Sequence, residues 1–152
     1  MALPNIFSQT VVEQLIARIH ALDANTQGKW GKMSVSQMLA HCCVTYETVY
    51  ENKHPKPNFF MGLVLRLFVK NTVVSEKPYP HNSPTAPYFI VSDTKEFEAE
   101  KKRLIDYIRR SQELGESYFD GKASHSFGKL TKIEWNNLFY KHLDHHLSQF
   151  GV

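Results

Sequence analysis

The chain has 152 residues, 42% of them hydrophobic and 22% charged, with a formal net charge of +3. That length suits one domain with a core of its own, and the composition is ordinary for a globular protein. No apolar run approaches the roughly 20 residues of a membrane span. The basic residues are scattered, with only Lys101-Lys102-Arg103 and Arg109-Arg110 as small clusters, so the concentrated patch of a nucleic-acid footprint is missing. Met1-Ala2-Leu3-Pro4-Asn5 has neither a basic region nor an apolar core, and a cytoplasmic location is expected.

Val11, Val12, Leu15, Ile16, Ile19 and Leu22 recur at helical spacing and predict a first helix from about Ser8 to Leu22. A loop follows over Asp23 to Gly28. Ser34 and Gln37 form a capping-box pattern that opens a second helix, carrying Met38, Leu39, His41, Cys42, Tyr46 and Val49 to about Glu51. His54-Pro55-Lys56-Pro57 ends it. Cys42 and Cys43 point about 100° apart on such a helix and do not bridge. They are expected to be buried structural thiols, with a thiol near a metal as the alternative.

Phe59 to Lys70 is strongly apolar but too short to span a membrane. It is expected to be a short helix packed on the bundle, with a dimer contact or membrane-surface role as the alternative. Glu76 to Tyr88, with prolines at 78, 80, 84 and 87, predicts an extended crossover that serves either as a lid or as a plain connection. Asp93 as N-cap and Glu96 three residues on predict the start of a third helix, with Phe97, Leu104, Ile105 and Ile108 buried and an end near Gly115. Glu116 to Leu130 is loop-like. Thr131 and Glu134 form a capping box for a last helix through Trp135, Leu138, Phe139, His142, Leu143, His146, Leu147 and Phe150. No strand is expected. The fold class is all-α, a four-helix bundle with a long crossover and a short extra helix between helices two and three.

The last helix carries the chemistry. His142 and His146 are four residues apart, which stacks them on one helical face. At about 100° per residue, Trp135, Phe139, His146 and Phe150 fall within about 80° of His142. Both histidines therefore point inward. His145 falls to one side, and Asp144 is expected on the solvent face. A buried imidazole left without a partner costs about 1–3 kcal/mol, and one metal ion satisfies two at once. A third ligand should come from a facing helix, and His41 is the only histidine on the second helix. The metal-site candidates are thus His41, His142 and His146. His20 is expected at the surface, and His54, His81 and His125 lie in loops.

Two segments, Trp30-Gly31-Lys32-Met33-Ser34-Val35-Ser36-Gln37-Met38-Leu39-Ala40-His41 and Lys141-His142-Leu143-Asp144-His145-His146-Leu147-Ser148-Gln149-Phe150-Gly151, resemble the DinB/YfiT-like superfamily. They resemble in particular its bacterial subgroup of unknown function, and His125-Ser126-Phe127-Gly128-Lys129-Leu130-Thr131 fits that subgroup too. The resemblance implies a four-helix bundle with a long crossover, and a metal held by His41, His142 and His146. It also implies frequent dimerisation, hence a homodimer here. The characterised branches are similar to thiol-dependent transferases or isomerases that use low-molecular-weight thiols.

Three histidines leave the fourth position of a tetrahedral ion open, and the ligand set suits zinc or nickel. Two enzymatic readings follow: activation of a thiol cosubstrate for S-transfer to a small molecule, or activation of water for hydrolysis. A non-catalytic metal- or ligand-binding bundle is the third, and would be favoured by a fourth protein ligand such as Cys42 or His145. His145 and Glu47 are the candidate acid/base partners. The sequence names no hydrogen-bond partner for the outer nitrogens of the three histidines.

Overall fold

The computed structural model describes residues 2–152 and is helical, as the periodicity predicts. Helix α1 (Gln9–His20) is capped by Ser8, whose side chain accepts from the Val11 amide. Helix α2 (Val35–Tyr50) opens with the Ser34/Gln37 capping box, both reciprocal bonds present. Helix α3 (Phe59–Val64) continues through a π-helical turn (Leu65–Val69) into α4 (Lys70–Val74). Helix α5 spans Phe97–Phe119, and α6 (Lys132–Gln149) opens with the Thr131/Glu134 capping box. The four long helices α1, α2, α5 and α6 pack on one another as a bundle, and α4 lies against α6.

The core is built from the apolar stripes that the helical spacing marks out. Leu15, Ile19, Met38, Leu39, Leu104, Ile108, Trp135 and Phe139 are all at most 2% exposed. Its centre is aromatic: Phe139 stacks on Tyr46 at 4.9 Å and meets Phe119 edge-on at 5.4 Å, while Phe7 stacks on Phe119 at 5.2 Å. Polar tethers fix the ends. Asn136 Oδ1 accepts from the Ile6 amide at 2.7 Å, anchoring the N-terminal segment to α6. The buried Lys141 ammonium donates to the carbonyls of Thr72 and Ser75 at 2.7 and 2.6 Å, clamping the C-terminal end of α4 to α6.

Three local expectations are corrected. Helix α5 starts later than Asp93, because Glu96 is the N-cap: its carboxylate accepts from the amides of Glu98 and Ala99, while the Asp93 carboxylate takes Lys95 instead. At its other end α5 does not stop at Gly115. That glycine takes φ 73°, breaking the helical run, but a further turn carries the chain to Phe119, whose fully buried ring explains the extension. The apolar segment after Pro57 runs on to Val74, and one face of it is not packed on the bundle: Phe59, Phe60 and Phe68 are 91%, 72% and 75% exposed. Asp144 lies on the outer face as expected, its side chain 46% exposed, with Arg18 of α1 reaching it at 2.7 Å. Between α5 and α6, the loop closes on an isolated antiparallel bridge between Ala123 and Lys129.

Candidate metal centre

His41 sits two turns into α2, and His142 and His146 sit one turn apart on α6. Where the two helices face each other, the three imidazoles converge. The ring centroids lie 4.5 to 5.0 Å apart, and one ring nitrogen from each falls within 4.8 Å of the others. His41 Nε2 and His142 Nε2 are 3.0 Å apart.

Each outer nitrogen is held separately. His41 Nδ1 donates to the Phe89 carbonyl at 2.8 Å, which leaves its Nε2 as a lone pair facing the cluster. His146 Nδ1 lies 2.8 Å from Gln149 Oε1. The amide of Gln149 is oriented by its other end, since Nε2 donates to the Trp30 carbonyl at 2.8 Å. Oε1 must therefore be the acceptor, and His146 Nε2 is also a lone pair. His142 Nδ1 meets Thr45 Oγ1 at 3.1 Å, and a hydroxyl serves as donor or acceptor there. With no ion bound, His142 satisfies the cluster as the tautomer that donates from Nε2 to His41 Nε2. With an ion, its Nδ1 donates to Thr45 and the third lone pair turns inward.

Burial holds all three rings neutral. It lowers the pKa of His41, lowers that of His142 well below the usual histidine range, and brings His146 to about 3, with the neighbouring imidazoles adding to the effect. Neutral imidazole is the ligating form. One ring nitrogen from each histidine within 4.8 Å of the others, with each ring fixed through its far nitrogen, matches the arrangement that orients histidine ligands around a metal. The residues therefore fit a divalent ion.

The cluster opens on a cavity of about 790 Å3. Phe89, Ile90, Phe127, Trp135 and Leu138 supply apolar wall, and Asn82 to Thr85 of the crossover line one side. His145 lines the same cavity. Its ring lies 5.1 Å from that of His146 and 5.6 Å from that of Tyr79, but it is outside the three-nitrogen cluster.

The other sequence candidates lie elsewhere. Cys42 Sγ points into the core toward Met38 Sδ at 3.8 Å, and Cys43 Sγ toward the Glu100 carbonyl at 3.9 Å. Burial pushes both thiols up, Cys43 to about 12 and Cys42 well above its ordinary value, so both stay protonated. Glu47 is bound by Arg103, by His54 at 2.7 Å and by Lys53 at 3.4 Å in a separate small polar pocket. It is not placed to exchange protons with the cluster. His20 is exposed, as expected.

Gln149, Thr45 and the Phe89 carbonyl were not legible as partners in advance. Gln149 is three residues beyond His146 and Thr45 four beyond His41, both same-face helical spacings that mark them in retrospect. A backbone carbonyl donated by a distant loop leaves no mark of residue type.

Fold and cluster together define a class: an all-helical bundle with a buried three-histidine cluster able to hold a metal ion. Over residues 4–151 the chain matches the family described as protein of unknown function (DUF1569), and it belongs to that family. No curated protein and no solved structure matches it.

Proposed function

We propose that this protein is a metal-dependent enzyme in which His41, His142 and His146 hold a divalent ion, zinc or nickel, and that it transfers a low-molecular-weight thiol to a small apolar substrate. The observation that carries this reading is the set of three outer-nitrogen hydrogen bonds, to the Phe89 carbonyl, Thr45 and Gln149, with one inner nitrogen of each ring within 4.8 Å of the others at a cavity wall. When bound, the ion supplies a Lewis-acid charge that lowers the pKa of a thiol or water entering the cavity. Among the described residues, no Asp or Glu lines the cavity. A thiol that gives its one proton to the cavity-lining His145 imidazole attacks as the thiolate and expels a halide-type leaving group that needs no proton, whereas hydrolysis of an ester or amide must also protonate the leaving alcohol or amine, and no carboxylate lines the cavity to do so. The same ligand set, bundle and crossover support placing the chain among the DinB/YfiT-like bundles.

The residues around the cluster divide the work. Gln149, Thr45 and the Phe89 carbonyl orient the ligands, and the crossover and the apolar wall keep bulk water from the sulfur. The exposed face of Phe59, Phe60 and Phe68 is the surface we assign to a homodimer, and charged substitutions there should yield a monomer by sedimentation. The test of the activity is a panel of glutathione, bacillithiol and mycothiol with small alkyl and aryl electrophiles, run on zinc- and nickel-loaded protein beside an ester and amide panel. Thiol transfer above the His41→Ala background is expected. Turnover confined to esters or amides would replace transfer with hydrolysis, and no turnover in either panel would leave a binding protein.

A further inference from the structure

The cavity has a second polar wall that the three-histidine cluster does not use. It is formed by Tyr88 from the end of the crossover and by His125 and Ser126 from the loop before α6. That loop is held tightly. The Ala123–Lys129 bridge closes it, Ser124 N donates to the Gly128 carbonyl at 2.7 Å, and Ser124 Oγ accepts from the Phe127 amide at 2.9 Å. Gly128 takes φ 71° with the Arg66 guanidinium 3.2 Å from where a Cβ would stand.

Donor accounting shows what this wall offers. His125 Nε2 lies 3.3 Å from the His54 carbonyl, which can only accept, so Nε2 carries the proton and Nδ1 is the acceptor. Ser126 Oγ lies 2.9 Å from that Nδ1 and donates to it. Tyr88 Oη is farther off, 3.4 Å from Ser126 Oγ and 3.5 Å from His125 Nδ1. Its hydroxyl hydrogen thus has only long contacts: the His125 Nδ1 lone pair is taken by Ser126, and the Ser126 oxygen lies at 3.4 Å. One hydroxyl donor and the remaining lone pair of Ser126 face a cavity whose other walls near them, Phe89, Ile90 and Phe127, are apolar.

We infer that Tyr88, with Ser126 and His125 behind it, is the subsite that recognises one uncharged oxygen, a carbonyl or hydroxyl, on an otherwise apolar small molecule. The Tyr88 hydroxyl donates to that oxygen, and Ser126 accepts from it where it is a hydroxyl. A carboxylate is disfavoured, because the wall presents neutral groups and a desolvated anion needs a charged partner. As the subsite of the acceptor substrate this assignment rests on the proposed transferase reading; as a binding site it does not.

The test uses three aromatic probes of similar shape, naphthyl methyl ketone, ethylnaphthalene and naphthoate. Each is titrated by NMR into the full-length protein, once metal-free and once zinc-loaded. The ketone should bind about fivefold more tightly than the hydrocarbon, the increment of one neutral hydrogen bond, and more tightly than the carboxylate. The advantage should persist without metal and disappear in Tyr88→Phe, which keeps the ring contacts with His54, Phe89 and His125. In Ser126→Ala it should shrink, because the Tyr88 hydroxyl is then free to turn to His125 Nδ1. Equal binding of ketone and hydrocarbon, tightest binding by naphthoate in the metal-free protein, or an undiminished advantage in Tyr88→Phe would overturn the subsite. Failure to load zinc, with the ketone preference intact, would sink the metal reading and leave the subsite standing.

Discussion

Gln149 is the most informative single position outside the cluster, because it touches both His146 and the loop that carries Trp30. Replacing it with Leu keeps the volume and the helix but removes both hydrogen bonds. In the metal-free protein, His146 Nδ1–H is then buried without an acceptor, and the Trp30 carbonyl loses its donor. An orphaned buried donor costs about 1–3 kcal/mol. For a chain of this size each kcal/mol lowers the melting temperature by roughly 2–4 °C, so a drop of about 2–12 °C is expected by calorimetry. The metal effect is separate. Without Gln149 the His146 ring loses both its orientation and the tautomer that presents Nε2, and loss of such an outer partner weakens a metal site by about 10–100-fold. Zinc affinity measured in competition with a chromophoric chelator should fall by that factor. Affinity within threefold of the unaltered protein would refute the claim that Gln149 positions His146, whatever the change in melting temperature.

Gly31→Ala should disturb the same contact from the other side. The residue has φ 82°, and a Cβ would lie 2.5 Å from Gln149 Nε2, so lower stability and weaker zinc binding should appear together. The metal-free protein should be acid-sensitive. In the unfolded chain the cluster histidines titrate near 6.5. In the fold their pKa values are depressed, for His146 to about 3, so between those limits the unfolded state binds more protons and stability falls as pH falls. At pH 5.5 each histidine that stays neutral should cost about 1.4 kcal/mol relative to pH 7.5, seen as a lower urea midpoint, and zinc should flatten the dependence. A metal-free midpoint unchanged over that interval would contradict the burial of the cluster. Tyr46→Phe should be neutral or stabilising by up to about 1 kcal/mol, since the Tyr46 hydroxyl is buried without a partner in the aromatic core. A loss above 1 kcal/mol in urea unfolding would show that the hydroxyl has a partner after all.

What the sequence disclosed follows from how local each signal is. The two capping boxes and the apolar spacing of α1, α2 and α6 are readable because cap and stripe lie within a few residues of each other. The inward pair His142 and His146 is readable for the same reason, as an angle on one helix. Helix α5 was less legible at both ends. Asp93 and Glu96 are both competent caps, and the choice between them turned on where Lys95 reached and how Phe97 was buried. Gly115 bears a stop signal that the burial of Phe119 overrides. The exposed phenylalanines of α3 follow no rule of composition, because an apolar segment looks the same whether or not the fold covers it. The partners of the outer nitrogens and the Tyr88–His125–Ser126 wall join residues 48 positions apart for His41 and Phe89 and 97 apart for Thr45 and His142, and only the assembled bundle brings them together.

Whether the three histidines act as one site is tested most directly by the metal content of protein purified without chelator and reloaded with zinc. The unaltered chain should hold one ion per chain by elemental analysis, and His41→Ala, His142→Ala and His146→Ala should each lose it while keeping the helical circular dichroism of the parent. Full occupancy in the His142→Ala, His146→Ala double variant, or no stable occupancy in the unaltered protein, would contradict the single site.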